Sequence, residues 1–390
     1  MRICFICNEY PPSRYGGIGT ATRTLARALV AAGHQVRVVG LSYHQENSLS
    51  FECDCGVEVW RLKASSARFS WIWARYTIFR TVQQWAKSKR IDLVEAPDYE
   101  GVVAGWPALP VPVIVRFHGS GSYFAVEMGR RPKRGTLFLE AASLRRANFY
   151  CSCSRYTADQ TYRLFGLQIR DISILHNAVT VAADIPEKNR SANQVVFTGT
   201  LTPKKGVISL IHAWPLVVNS CPKAKLDIFG NDGRTDAGES MRDFLLSSLP
   251  ASIRNTVHFR GHVEQADLRN ALRAASVAVF PSYSEAFAMA PMEAMAEACP
   301  TIYSRRGSGA ELIKDGETGL LVDPAEPGAI ARAITNVLSD ANLAARLGSA
   351  GREHIARCFS TSALLVKNVN FYQACVQSFR STSFERAEAA

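Results

Sequence analysis

Short runs of β-branched and aromatic residues alternate with amphipathic helical patterns along the whole chain, the signature of parallel α/β sheets covered on both faces. In the first half, Ile3 to Cys7, Gln35 to Val39, Leu93 to Ala96, Val113 to Phe117 and Phe149 to Cys153 read as strands, with a helix from Ile18 to Ala32 after the first. A second series begins at Val195 to Thr198 and continues through Leu226 to Phe229, Val257 to Phe259, Val277 to Phe280 and Thr301 to Tyr303. Between them, Val179 to Asn193 is polar and holds Pro186, which predicts a linker. The fold class is therefore α/β, with two Rossmann-like doubly wound domains at 1–180 and 190–360. A closing helix at about 362–380 is expected to pack back on the first. No repeat of 20 to 50 residues is visible, and low complexity is confined to the polar tail after Phe379. In doubly wound sheets ligands lie beyond the carboxyl ends of strands, so the residues following the strands are expected to face one shared cleft.

A chain of 390 residues is too long for one ordinary core, which agrees with two domains. Its 47% apolar and 20% charged residues exclude a mainly disordered chain. The start, MRICFICNEY, lacks the apolar run of a signal peptide, and nothing later approaches the roughly 18 apolar residues that span a bilayer. A cytoplasmic protein is expected. Of ten cysteines, Cys4 and Cys7 fall in the first strand and Cys299 ends an apolar helix. The pairs Cys53/Cys55 and Cys151/Cys153 lack the second pair or nearby histidines of a zinc site, so reduced thiols and no metal are predicted. The net charge of +11 calls for a polyanionic partner: nucleic acid, an anionic membrane surface or a phosphorylated ligand. No helix-turn-helix, zinc-finger or RNA-binding motif is present, so nucleic acid is not expected.

The most informative segment is SVAVFPSYSEAFAMAPMEAMAEACPTI. A buried strand runs into a Pro-Ser turn and then into a helix starting near Met289 or Pro291. Proline suits a first helical turn, and the free N–H groups there form an anion site beside Ala286, Phe287 and Ala288. Glu285 precedes the turn and Glu293 lies inside the helix. One reading is that both merely complement the helix dipole. The other is that two carboxylates beside an amide cluster hold a polyhydroxylated, phosphorylated ligand.

The E-x7-E spacing of Glu285 and Glu293 resembles that of the retaining GT-B glycosyltransferases of the large group 1 family. Other segments follow in the family's order. PPSRYGGIGT, with Gly16, Gly17 and Gly19, resembles its first-strand glycine loop; HGS at His118 its active-site histidine; and LHNAV at Asn177 its P-N-G-V segment. GTLTPKKG is similar to its G-R-L-x-x-x-K-G phosphate loop, and ELIKDGETGLLVDP to its late turn into the closing helices. The resemblance spans Met1 to about Ser360.

Carried over, it implies a hexosyltransferase that takes a UDP- or GDP-linked sugar as donor substrate, uses no cofactor or metal and retains the anomeric configuration. The acceptor would be a saccharide or lipid-linked hydroxyl in glycan, glycolipid or glycoconjugate synthesis. Glu285 would contact the donor sugar hydroxyls, Glu293 the ribose and Lys205 the diphosphate, where a cation stabilises the charge of the departing nucleoside diphosphate. His118 would lie close to the donor sugar. Gly16 and Gly17 would let the backbone approach a phosphate. Thr200, Val263 and the 286–288 turn would complete the donor site.

Departures from the family pattern bear on donor choice and turnover. Thr200 replaces the phosphate-loop arginine, with Lys204 as partial compensation, while Ala286, Ala288, Cys299 and Ala178 stand where glycine is customary. A nucleotide-sugar epimerase on the same scaffold and an inactive nucleotide-sugar-binding homologue are the alternatives. Finally, RFSWIWARYTIFRTVQQWAKSKR and the basic cluster Arg130 to Arg134 form a candidate for peripheral contact with an anionic membrane. The same helix reads equally as a core helix with a basic wet face.

Overall fold

The apolar runs form the strands of two separate sheets in the computed structural model, which describes residues 1–12, 16–42, 49–64, 70–168, 172–184, 190–235 and 237–388, without the side chains of Ser70 and of 383–388. Parts of four sequence segments singled out above lie outside the described residues: 13–15 of the glycine loop, 68–69 of the aromatic stretch, 185–189 of the polar linker and the end of the tail. The chain divides into two compact units, Met1–Ala178 with Thr361–Ala390, and Val179–Ser360.

The first unit contains β1 (Arg2–Ile6), α1 (Gly17–Ala31), β2 (Gln35–Ser42), β3 (Leu49–Asp54), β4 (Val57–Lys63), α2 (Ser70–Lys87), β5 (Leu93–Pro97), β6 (Val113–Phe117), α3 (Gly121–Glu127), α4 (Arg134–Arg146), β7 (Phe149–Ser152), α5 (Arg155–Phe165) and β8 (Ser173–Ile174). The strand order is β3-β4-β2-β1-β5-β6-β7-β8, parallel throughout except for β3 against β4. That hairpin was not expected from the sequence. It turns at Cys55 and Gly56, which both have positive φ, as the primed turns matching strand twist require.

The second unit runs β9 (Gln194–Thr198), α6 (Val207–Ser220), β10 (Lys225–Phe229), α7 (Met241–Ser247), β11 (Val257–Gly261), α8 (Gln265–Ala274), β12 (Val277–Phe280), α9 (Met289–Ala296), β13 (Thr301–Ser304), α10 (Gly309–Leu312), β14 (Leu320–Val322), α11 (Pro327–Ser339) and α12 (Ala341–Cys358). Its sheet is entirely parallel, in the order β11-β10-β9-β12-β13-β14. The central strands β9 and β12 are buried on both faces, which is why they read as continuous apolar runs instead of alternating.

The last helix, α13 (Thr361–Glu388), belongs to the first unit, where Asn368 and Tyr372 insert beneath the sheet. The buried Arg116 guanidinium meets Glu95 through Nε–Oε1 at 2.8 Å and donates to Leu175 O, Asn368 Oδ1 and the Tyr372 hydroxyl. Tyr372 in turn donates to Glu95 at 2.7 Å. A buried ion pair is tolerated when its remaining donors and acceptors are also matched, as they are here.

Helix α2 resolves the ambiguity of its sequence by dividing along its length. Ile78, Phe79, Val82 and Trp85 are buried, whereas Trp71, Ile72, Trp73 and Tyr76 in the first two turns are exposed.

Candidate active site

In the second unit, two loops leaving the carboxyl ends of β9 and β12 are locked together. The Tyr283 amide donates to the Lys204 carbonyl at 2.8 Å. Gly206, at φ +69°, is packed so closely that a Cβ there would lie 1.7 Å from the Pro281 oxygen. A third loop, after β13, also approaches: a Cβ on Gly307 would stand 3.0 Å from the Glu285 backbone oxygen. Glycine is required at such approaches because any side chain would collide with backbone.

This arrangement sets Lys205 Nζ 2.5 Å from Glu285 Oε1. Burial pushes the Glu285 carboxyl up, but the charges of Lys205 and Lys204, with hydrogen bonds from Lys205 and Ser282, outweigh it and hold the group below the usual glutamate range. Glu285 is therefore an anion at neutral pH, with a cation beside it. Four residues further on, α9 begins at Met289 with Ala288 as its N-cap and no side-chain cap, so the positive end of its dipole lies by the buried 286–288 turn. A lysine and an uncapped helix N-terminus at the carboxyl end of a parallel sheet each attract phosphate oxygens.

The other predicted residues of this unit lie in the loops after β9 and β11 and in α9. Thr200 is exposed in the β9 loop. Glu293, inside α9, accepts a bond from Gln265 Nε2 at 3.3 Å, and Val263 sits two residues before Gln265 in the loop after β11. Burial raises the Glu293 carboxyl, with the Arg269 charge opposing the shift.

His118, Gly16 and Gly17 belong to the first unit. His118 follows β6, and its backbone N–H donates to Asp98 Oδ1 at 2.8 Å. Burial, reinforced by the Arg116 charge, pushes the imidazole down to about 3, so it is neutral at physiological pH and offers hydrogen bonds, not charge. It lines a small cavity with Thr22, Glu95, Arg116, His176 and Asn177. Gly16 is the N-cap of α1, its amide donating to Glu9 Oε2 at 3.1 Å. Gly17 opens the helix, one residue earlier than expected, and a Cβ there would meet nothing within 4 Å.

The comparisons with known proteins agree with this architecture. A family model described as "Glycosyl transferases group 1" matches residues 181–354, and one described as "Glycosyl transferase 4-like domain" matches residues 16–178. The chain belongs to the group 1 glycosyltransferases. It is 26% identical over 415 residues to a glycogen synthase of Mycobacterium tuberculosis, covering 97% of this chain and 96% of that protein. Among solved structures, a sucrose-phosphate synthase of Thermosynechococcus elongatus superposes with TM-score 0.80 at 22% identity, over 96% of this chain and 99% of that one. Anabaena HepE, solved in complex with UDP, superposes with TM-score 0.72 at 17% identity, over 96% of this chain and 100% of that one. The fold is GT-B.

In this glycosyltransferase, sequence reasoning missed two carboxylates that build the His118 loop. Asp98 accepts the His118 amide, and Glu140 accepts those of Gly121 and Ser122 at 2.8 and 3.1 Å. Burial, with the nearby Glu140 charge, raises Asp98 to about 7, and its Oδ2 is buried with no hydrogen-bond partner among the described residues. A signal existed for Asp98, which stands directly after β5 at the carboxyl edge of the sheet. Glu140 lies mid-helix and had none. The ten cysteines, all of them among the described residues, form no disulfide.

Proposed function

We propose that this group 1 glycosyltransferase moves a hexose from a UDP- or GDP-linked donor to a hydroxyl acceptor with retention of configuration. The observation that carries the reading is the Lys205–Glu285 pair at the uncapped start of α9. Lys205, assisted by Lys204, faces the charge that grows on the diphosphate as the sugar departs, and Glu285 holds sugar hydroxyls while anchoring the lysine. Glu293 takes the ribose, with Val263 near the base. HepE, solved with UDP and with UDP-glucose, supports a nucleoside diphosphate donor.

In the proposed front-face step, the bond from the anomeric carbon to the phosphate oxygen breaks, its electron pair leaving on the nucleoside diphosphate. The acceptor oxygen bonds to the same face of that carbon, and its proton passes to the phosphate oxygen that has just departed. Neutral His118 serves as a hydrogen-bond partner close to the sugar. Because lysine and the helix dipole supply the positive charge, the reaction needs no metal.

The test joins a thermal-shift screen of nucleoside diphosphates to product analysis. One diphosphate is expected to raise the melting temperature, since at a hundred times its Kd a ligand adds about 2.7 kcal/mol. The matching sugar should be transferred equally well in a chelator, and proton NMR should show the donor's anomeric configuration in the product. Absence of any shift and of donor consumption defeats the donor reading, and an inverted product defeats the mechanism.

A further inference from the structure

The first two turns of α2 place three large apolar side chains and a tyrosine in solvent: Trp73 is 70% exposed, Ile72 50%, Tyr76 47% and Trp71 46%. Arginines are interleaved with them, Arg75 over the Trp71 ring at 5.2 Å and Arg80 over the Tyr76 ring at 5.8 Å, while Trp73 meets Tyr76 edge to face. This is no isolated patch. Arg75 Nε also donates to the Gly101 carbonyl at 3.2 Å, and Gly101 sits so tightly on α4 that a Cβ there would lie 2.4 Å from the Leu139 carbonyl carbon. Through this turn, which begins at Tyr99, the exposed end of α2 is linked to the middle of α4, where Phe138 is 66% exposed. The α3–α4 connection adds exposed Arg131 and Lys133, and the first residue of α4 adds exposed Arg134. Across 70–80 and 126–138 there are six basic residues and one acidic, Glu127, which accepts a bond from Tyr156. Glu100, in the intervening turn, faces the Arg75 charge.

Exposed tryptophans, isoleucine and phenylalanine are costly in water and uncommon as a contiguous patch on a soluble surface. Amphipathic aromatic rings with flanking arginine and lysine suit the interface of an anionic bilayer, the rings lying at headgroup depth and the cations meeting lipid phosphates. No helix among the described residues is long and apolar enough to cross a membrane, and the contact considered is a peripheral one. The patch also lies on elements that follow the carboxyl ends of β4, β5 and β6, the edge of the sheet that carries His118.

From the charge match, we infer that the first turns of α2, Phe138 and the 130–134 cluster dock the protein on an anionic lipid surface, with the His118 edge turned toward it. An acceptor anchored in that lipid would then reach the His118 edge without leaving the membrane. This inference is independent of which donor the second unit binds.

Flotation of the full chain with phosphatidylcholine–phosphatidylglycerol vesicles, against phosphatidylcholine alone, tests it. The protein is expected to float with the anionic vesicles only, with a blue shift of tryptophan emission and a loss of binding at high salt. A protein of net charge +11 adheres to any polyanion, so the deciding variant is Trp71→Ala with Trp73→Ala, which leaves the charge unchanged. Binding should fall roughly tenfold or more in it, and also in Lys133→Glu with Arg134→Glu, while the melting temperatures of these exposed-site variants stay at the parent value. Flotation unchanged in the tryptophan variant, or none with either vesicle, overturns the proposal. So does a parent dimer that the tryptophan variant dissociates, which would assign the patch to a second copy.

Discussion

Replacing Lys205 with alanine tests the centre of the proposed site through stability as well as turnover. In the parent the lysine side chain is 28% exposed and its partner Glu285 10%. Removing one partner of a fully buried pair costs about 3–5 kcal/mol, and the partial exposure of this lysine reduces the expected loss to roughly 2 kcal/mol at pH 7. The pH dependence is more diagnostic. In the parent the Glu285 carboxyl lies below its unfolded value of about 4.3, so the stability it contributes is present above that pH and is lost as pH falls through the lower folded value. In Lys205→Ala burial becomes the dominant influence, opposed by the remaining Lys204 charge, and the carboxyl moves up. The variant then gains relative stability as the group protonates on acidification. Urea midpoints of parent and variant, measured from pH 7.5 to 4.5, should therefore converge toward the acid end, with transfer activity lost at every pH. A stability gap that is absent at neutral pH, or constant across the range, would refute the coupling between these side chains.

Two further predictions concern the loops. Gly206→Ala forces a Cβ onto the Pro281 oxygen at positive φ, and should lower stability by at least about 2 kcal/mol, seen as a fall of roughly 5 °C in the melting transition of the second unit; an unchanged transition would contradict the close packing. Asp98, raised to about 7, favours its neutral form in the folded state, so stability should decline as pH rises from about 4 to 7. Asp98→Asn keeps an acceptor for the His118 amide and should flatten that decline, whereas parallel denaturant midpoints for the two proteins would show that the carboxyl does not titrate there.

The two parallel sheets were legible because strands buried on both faces leave uninterrupted apolar runs, as in Val277 to Phe280. The hairpin of β3 and β4 was not, because its residues 49–54 are mostly exposed and carry polar and charged side chains that give no apolar run. Its turn depends on positive φ at Cys55, which residue type alone does not announce. The three-residue β14 was too short to register. The candidates Glu285 and Lys205 in the second unit and His118 in the first were singled out because they follow strands or carry a motif, whereas Glu140 acts by accepting amides from a loop nineteen and eighteen residues away.

The sequence by itself determined the α/β class, the alternation of strand and helix, and the candidate segments for the chemistry, since these follow from local periodicity and from motifs a few residues long. Only the tertiary structure decided which charges meet. Lys205 and Glu285 are eighty residues apart in the chain yet share a hydrogen bond, and Arg116 is enclosed by residues of α13 more than 250 positions away. The structure likewise divided α2 into a buried end and an exposed aromatic end. Burial and ion pairing depend on distances set by the assembled sheet, which no local pattern along the chain encodes.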